Sequence, residues 1–259
     1  MAVLAIDRLS SAPYGQPLLQ GIDLQLDAGD VLGMIGPNGS GKSSLLHTIA
    51  GGLPADSGTV SLNQTPLGDW DLNSRARALS MQTQHAGLNF PFSVEEVVLM
   101  GRIPHASGIR CDREILEEVL SLTDTDYLRD RPYTQLSGGE KQRVQLARAV
   151  AQVWRAEDAP CRLLLLDEPN SALDLPHQQM VLDLVARLSS NGCAVVISSH
   201  DFNLLALRSD HLLVLQCGQQ YSLGTPAEVL TPEMFAEVFS AEVLIEQHPR
   251  GETPLVVPL

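Results

Sequence analysis

The sequence predicts an α/β fold: a parallel sheet covered by helices and carrying a phosphate-binding loop, a small antiparallel sheet beside it, and an inserted helical lobe. Three observations predict it. Apolar residues are 44% of the 259 but aromatics only 4%, so the core is built from Leu, Val, Ala and Ile, the composition of strands buried on both faces. Short continuous apolar runs recur at 31–35, 163–166, 194–198 and 212–215, and a glycine-rich octapeptide follows the first of them. From about 87 to 152 helical spacing replaces the strand pattern.

In chain order, Ile22, Leu24 and Leu26 alternate with polar residues as in a half-buried strand. Ala28-Gly29-Asp30 turns the chain into the more apolar strand 31–35, and the glycine-rich loop follows. Residues 44–50 then place Leu45, Leu46 and Ile49 on one helical face, and 58–62 form a strand closed by the turn-forming Asn63-Gln64. Residues 94–100, 113–122 and 140–151 carry helical spacing with no convincing strand between them. They define a helical subdomain at 87–152, inserted in a nucleotide-binding core of 1–86 and 153–259 with a C-terminal extension. The core resumes with strand 163–166, helix 178–189 and strands 194–198 and 212–215, and the proline-rich tail 249–259 is expected to be extended.

The formal charge, 17 − 31 = −14, argues against nucleic acid as a partner, because phosphate binding needs a basic face. It argues equally against adhesion to an anionic lipid surface, so any membrane role runs through a protein partner. No apolar stretch approaches the roughly 20 residues of a membrane span, and residues 1–7 lack the pattern of a signal peptide. Cys111, Cys161, Cys193 and Cys217 are scattered without a CxxC pair, as reduced thiols of a cytoplasmic protein would be. His47, His85, His105, His177, His211 and His248 show no metal-ligand spacing. Glu117-Glu118, the acidic run at 124–126, and Trp154 with the polar stretch 155–160 read as solvated surface.

Gly36-Pro37-Asn38-Gly39-Ser40-Gly41-Lys42-Ser43 fits G-x-x-x-x-G-K-[ST] between a buried strand and a helix, where a phosphate loop must lie. Its glycines let backbone N–H groups close around phosphate oxygens at a helix N-terminus. Lys42 is placed to reach the β- and γ-phosphates and Ser43 to hold Mg²⁺, with Ser44 adjoining. The strand at 163–166 ends in Asp167 and Glu168, the first a candidate Mg²⁺ ligand and the second a general base for the attacking water. In Leu136-Ser137-Gly138-Gly139-Glu140, Ser137 and Glu140 fit a capping box. A cap leaves the paired glycines unexplained, and these suit close backbone approach to an anion.

That pentapeptide is the signature of the ABC ATPases, which this sequence resembles over nearly its whole length. The resemblance implies a phosphate-loop NTPase core that binds ATP and Mg²⁺. It also implies a head-to-tail homodimer in which Ser137, Gly138, Gly139 and Glu140 complete the partner's site. Tyr14 matches the aromatic that stacks on adenine, residues 171–174 the loop that communicates across the dimer, and His200 the switch histidine at the γ-phosphate. Gln82 and Gln84 both stand where a glutamine links Mg²⁺ to the helical lobe, and the spacing to the segment 90–97 favours Gln84.

The segment 90–98 with Gly101-Arg102-Ile103-Pro104-His105 resembles ATPases of bacterial importers for iron chelates, haem and vitamin B12. Gln152-Val153-Trp154, the block 163–175 and the ending 248–258 are most similar to the haemin importers among them. Asn170 departs from that group's usual threonine, and Ser198-Ser199 is similar to the vitamin B12 importers. What this implies is an ATPase subunit on the cytoplasmic face of the bacterial inner membrane. Its partners would be two integral-membrane permease subunits and, through them, a periplasmic haem-binding protein. Ferric-siderophore or vitamin B12 import is the alternative. A soluble ABC ATPase of DNA repair or translation would carry a long coiled coil or two cassettes, and neither is present.

Overall fold

A computed structural model describes residues 2–13, 15–83, 87–249, 251 and 253–259. In chain order the strands are β1 (Ala2–Ser11), β2 (Leu19–Asp27) and β3 (Val31–Ile35), then helix α1 (Lys42–Ile49), β4 (Ser57–Leu62) and β5 (Thr65–Pro66). Helix α2 (Leu72–Ala78) leads into β6 (Leu79–Gln82), and three helices follow, α3 (Val94–Leu99), α4 (Ile109–Leu122) and α5 (Gly138–Val153). The core returns with β7 (Leu163–Asp167), α6 (Leu175–Ser190), β8 (Ala194–Ser198), α7 (Phe202–Ala206), β9 (His211–Gln216) and β10 (Gln219–Gly224). Short helices α8 (Pro226–Val229) and α9 (Pro232–Met234) precede a hairpin of β11 (Val243–Gln247) and β12 (Pro254–Pro258).

Ten strands make one sheet in the order β5-β4-β1-β2-β10-β9-β3-β8-β7-β6. The small antiparallel sheet is therefore not separate. It joins the core at a single parallel pair, Gln219 with Gln20, where the Gln20 N–H donates to Gly218 O at 2.8 Å. In the core, β6, β7, β8, β3 and β9 all run parallel. Every residue of β3, β7 and β8 is buried, which the continuous apolar runs anticipate.

The strands alternate between two cores. Leu164, Leu166, Val195, Ile197, Leu212 and Val214 face the core shared with α3, α4, α5 and α6. Leu163, Leu165, Val196, Leu213 and Leu215 face the core shared with β1, β2 and α1. Truncating any of them to Ala removes about 2–5 kcal/mol, so the sheet is anchored on both faces. Parallel strands also bring their C-terminal ends to one edge, where α/β folds place ligands. Burial pushes the Cys193 thiol up to about 12 and raises that of Cys161, which leaves both inert.

Several readings need correcting. Strand β1 escapes sequence reading because register shifts between Ile6 and Leu9, and Arg8 at φ 45°, break the two-residue period. Helix α6 starts three residues before 178, since the Asp174 carboxylate caps the His177 N–H at 3.3 Å and Pro176 suits the first turn. Trp154 is buried, whereas the stretch 155–160 after it is surface, with 156, 157 and 160 exposed. The Trp154 indole N–H and the Arg155 guanidinium both donate to Glu118, each at 2.6 Å. Asp158 accepts from the buried Arg102 at 2.8 Å. The acidic runs are exposed surface, and they are paired there: Glu117 with Arg129, and Asp124 with Arg143 at 3.0 Å. These partners lie 12 to 56 residues apart, beyond what local charge pattern reveals. The tail is extended, and it is tied down. Asn203 donates to Val256 O at 3.0 Å and accepts from its N–H at 2.7 Å.

Candidate nucleotide site

Strand β3 delivers the chain to a loop that only glycine can form at two positions. Gly36 has φ +154°, and a Cβ there would sit 2.3 Å from Leu215 O. Gly41, the N-cap of α1, has φ +107°. The loop wraps around Lys42, whose ammonium donates to Gly36 O at 2.7 Å and to Pro37 O at 3.1 Å. Burial lowers the Lys42 pKa, and the charges of Glu168 and Asp167 pull it back up. Two loop carbonyls thus hold a cation that a phosphate can take over.

Residues 38–44 line a cavity of about 710 Å³ together with Glu168, His200, Pro17 and Leu18. Asn38, Gly39, Ser40, Gly41, Lys42, Ser43 and Ser44 all reach it, while Gly36 and Pro37 support it from behind. Ser40 Oγ is buried and has no hydrogen-bond partner among the described residues.

The carboxylates come from the end of β7. Asp167 is buried, and Glu168 follows at φ 49°, left-handed backbone that is uncommon outside glycine. The neighbouring strand holds both: Ser198 Oγ donates to Asp167 Oδ1 at 2.8 Å and accepts from the Glu168 N–H at 3.0 Å. Two residues on, His200 Nε2 lies 2.6 Å from Glu168 Oε1. Lys42, Ser43, Asp167, Glu168 and His200 are therefore assembled at one sheet edge by β3, β7 and β8. No group of three or more His, Cys, Asp or Glu that could hold a metal occurs among the described residues. A cation would need phosphate oxygens beside Asp167 and Ser43, a donor set that fits Mg²⁺ with a nucleotide.

Tyr14 and Gln84 lie outside the described residues. Gln82 is described: its side chain is buried, Nε2 donates to Gln142 O at 3.4 Å, and Oε1 has no hydrogen-bond partner among the described residues.

The pentapeptide is placed elsewhere. Ser137 caps α5 in a complete capping box: the Ser137 N–H donates to Glu140 Oε2 at 2.7 Å and the Glu140 N–H to Ser137 Oγ at 3.3 Å. Arg131 adds an ion pair to Glu140 at 3.2 Å. Gly138 lines a second cavity, of about 400 Å³, with Gln142 and Ala172 and none of the phosphate loop. Within one chain the two motifs do not meet. Gly139 packs so closely that a Cβ would lie 3.0 Å from Ala172 O.

One residue that sequence reasoning passed over, Gln142, ties these regions together. Its Nε2 donates to Glu168 O at 2.9 Å and its Oε1 accepts from the Ala172 N–H at 3.1 Å. Its position four residues after Gly138, hence on the same helix face, was the available signal.

The family model described as "ABC transporter" matches residues 19–171, a span that takes in the phosphate loop, the pentapeptide, Asp167 and Glu168. The chain belongs to the ABC transporter family. It is 45% identical over 255 residues to the hemin import ATP-binding protein HmuV of Pseudomonas aeruginosa, covering 98% of this chain and 99% of that one. A protein of the same name from Gloeobacter violaceus is 44% identical over 247 residues, covering 95% and 90% of the two chains. Among solved structures, a metal-chelate type ABC transporter in an inward-facing conformation aligns with TM-score 0.81 and 28% identity, covering 100% of this chain and 98% of that one. An ATP-binding cassette in its ADP conformation aligns at TM-score 0.76 and 24% identity, covering 93% and 100%, and shares the fold. No helix among the described residues of this family member is long and apolar enough to cross a membrane.

Proposed function

We propose that this chain is the ATP-hydrolysing subunit of an ABC importer that moves haem. The observation that carries the catalytic part is the convergence of Lys42, Ser43, Glu168 and His200 on one cavity of about 710 Å³, with Asp167 directly behind Glu168.

Each residue has a role that its geometry supports. The loop N–H groups and the N-terminus of α1 receive the phosphates, and Lys42 exchanges its two loop carbonyls for phosphate oxygens. Asp167 and Ser43 would hold Mg²⁺, which neutralises charge developing on the phosphates. Glu168 orients the attacking water and takes its proton, and His200, 2.6 Å from that carboxylate, fixes it and faces the γ-phosphate. The separation of the pentapeptide from this cavity supports a head-to-tail pair of chains, each signature closing the other's site.

ATP binding then favours the closed pair and hydrolysis the open one, a difference in affinity that is the source of work. The lobe at 87–152 passes the movement to two permease subunits at the cytoplasmic face of the inner membrane, and a periplasmic haem-binding protein delivers cargo to them.

Haem as cargo is supported by what the relatives are named. The Ser198 hydroxyl is engaged with Asp167 and Glu168, so its likeness to vitamin B12 importers has a reason inside the ATPase and does not speak for cargo. The isolated chain is expected to bind ATP without a stoichiometric haem spectrum. Reconstituted in vesicles with its permease and cargo-binding protein, it should hydrolyse ATP and move haem inward. Transport of cobalamin or a ferric siderophore with haem ignored would overturn the cargo and leave the ATPase reading standing.

A further inference from the structure

We propose that Ser198 is a positioning residue that locks the metal-holding carboxylate of Asp167 and the backbone of the general base Glu168 into one unit. The inference rests on the reading of those two residues given above.

Position 198 is fully buried, and the four residues before it in β8 are all apolar. A hydroxyl placed there without partners would cost about 1–3 kcal/mol, and an apolar side chain would meet the demands of packing as well. The hydroxyl is instead completely engaged. It donates to Asp167 Oδ1 at 2.8 Å and accepts from the Glu168 N–H at 3.0 Å, across the register pair Asp167 with Ser198.

Both bonds act on chemistry. The first fixes which way a buried carboxylate faces and charges one of its oxygens with a hydrogen bond, leaving the carboxylate aimed rather than free to rotate. The second stabilises a non-glycine residue at φ 49°, a conformation that persists only where its surroundings over-determine it. Glu168 has a further restraint from two residues beyond Ser198, past the end of β8: the contact of His200 Nε2 with its Oε1 at 2.6 Å. Ser198 therefore sets the backbone from which the base projects, and His200 sets the carboxylate itself. Outer partners of this kind typically matter 10–100-fold in metal affinity or activity.

The test uses the full chain in its transporter complex. Ser198→Ala should lower kcat by roughly 10–100-fold and raise the half-saturating Mg²⁺ concentration by about 10-fold, with KM for ATP changed far less. Ser198→Thr, which keeps the hydroxyl, should restore the metal requirement. Affinity is read without turnover by titrating Mn²⁺ into ATP-loaded protein and following its electron paramagnetic resonance signal. Run on a Glu168→Gln background, adding Ser198→Ala should weaken Mn²⁺ by about 10-fold. Should the alanine variant fold poorly, Ser198→Cys preserves the volume with only a weak donor and should shift Mn²⁺ in the same direction. Wild-type Mn²⁺ affinity in Ser198→Ala or Ser198→Cys overturns the proposal, whatever the rate. Rapid hydrolysis by Glu168→Gln alone would instead overturn the reading of Glu168 beneath it, so the two failures are distinguishable.

Discussion

The catalytic edge and the pentapeptide at the start of α5 are built on opposite principles. The edge is made of buried strand ends joined side to side, with Glu168 in left-handed backbone and polar groups bonded across strands. The pentapeptide is a helix start whose own side chains satisfy one another through the capping box. Its first-turn glycines have no intrahelical partner for their N–H groups, and Gly138 lines a cavity that the phosphate loop does not reach. One half is complete and strained, the other relaxed and turned outward. That contrast suits the proposed pair of half-sites: the phosphate loop and the carboxylates lie within one chain, and closure would bring the glycines of the other.

The largest effect that sharpens this contrast lies at the strained half. Glu168→Gln keeps the shape and the backbone bond to Ser198 but removes the base. ATPase activity should fall by about 10²–10⁴-fold while ATP still binds, and the protein should accumulate as an ATP-bound dimer in size-exclusion chromatography. Near-normal turnover would remove Glu168 from the mechanism.

The outward half gives the next effect. Ser137→Arg puts bulk and charge where a second chain's nucleotide would lie, yet monomeric ATP binding should change less than about 2-fold because Ser137 is absent from the 710 Å³ cavity. The variant alone should hydrolyse little. Mixed with Lys42→Ala subunits, it leaves at most one site with both halves intact, and hydrolysis should recover to a fraction of the wild-type rate. A strict monomer hydrolysing at the normal rate would break the comparison altogether.

How far the sequence revealed these halves depends on the range of the interaction. Local patterns were legible: the glycine loop, the buried runs of β3, β7 and β8, and the capping box are each fixed by neighbours within a few residues. The parallel order of the strands, which carries Asp167 to Ser198 and His200 to Glu168, needs contacts some 30 residues apart. For Gln142 the spacing from Gly138 marks only the helix face, and says nothing about the carbonyl 26 residues later that it meets. The burial of Trp154 and the partners of the polar stretch after it were hidden for the same reason. Arg155 and Asp158 look solvated until Glu118 and Arg102, far away in sequence, meet them.

The smallest effect separates scaffold from chemistry within the pentapeptide itself. Glu140 is engaged by the Ser137 N–H and by Arg131, and the Ser137 hydrogen bonds followed by the Arg131 charge lower its pKa. A carboxylate whose folded-state pKa is depressed contributes stability above its unfolded pKa, and that contribution disappears as pH falls through the folded value. Glu140→Gln keeps an acceptor for the cap but loses the charge at the helix N-terminus, worth roughly 0.5 kcal/mol at an exposed site. At pH 7 the variant should therefore melt about 1–2 °C below wild type, and the two curves should converge as pH is lowered past the ordinary glutamate range. Hydrolysis should drop less than with Ser137→Arg, because the carboxylate is engaged within its own chain, whereas in the proposed pair Ser137 lies against the neighbour's nucleotide. Should Glu140→Gln abolish hydrolysis with the melting temperature unchanged, the capping carboxylate would itself belong to the partner's nucleotide site, and the division between a relaxed scaffold and a strained catalytic edge would have to be redrawn.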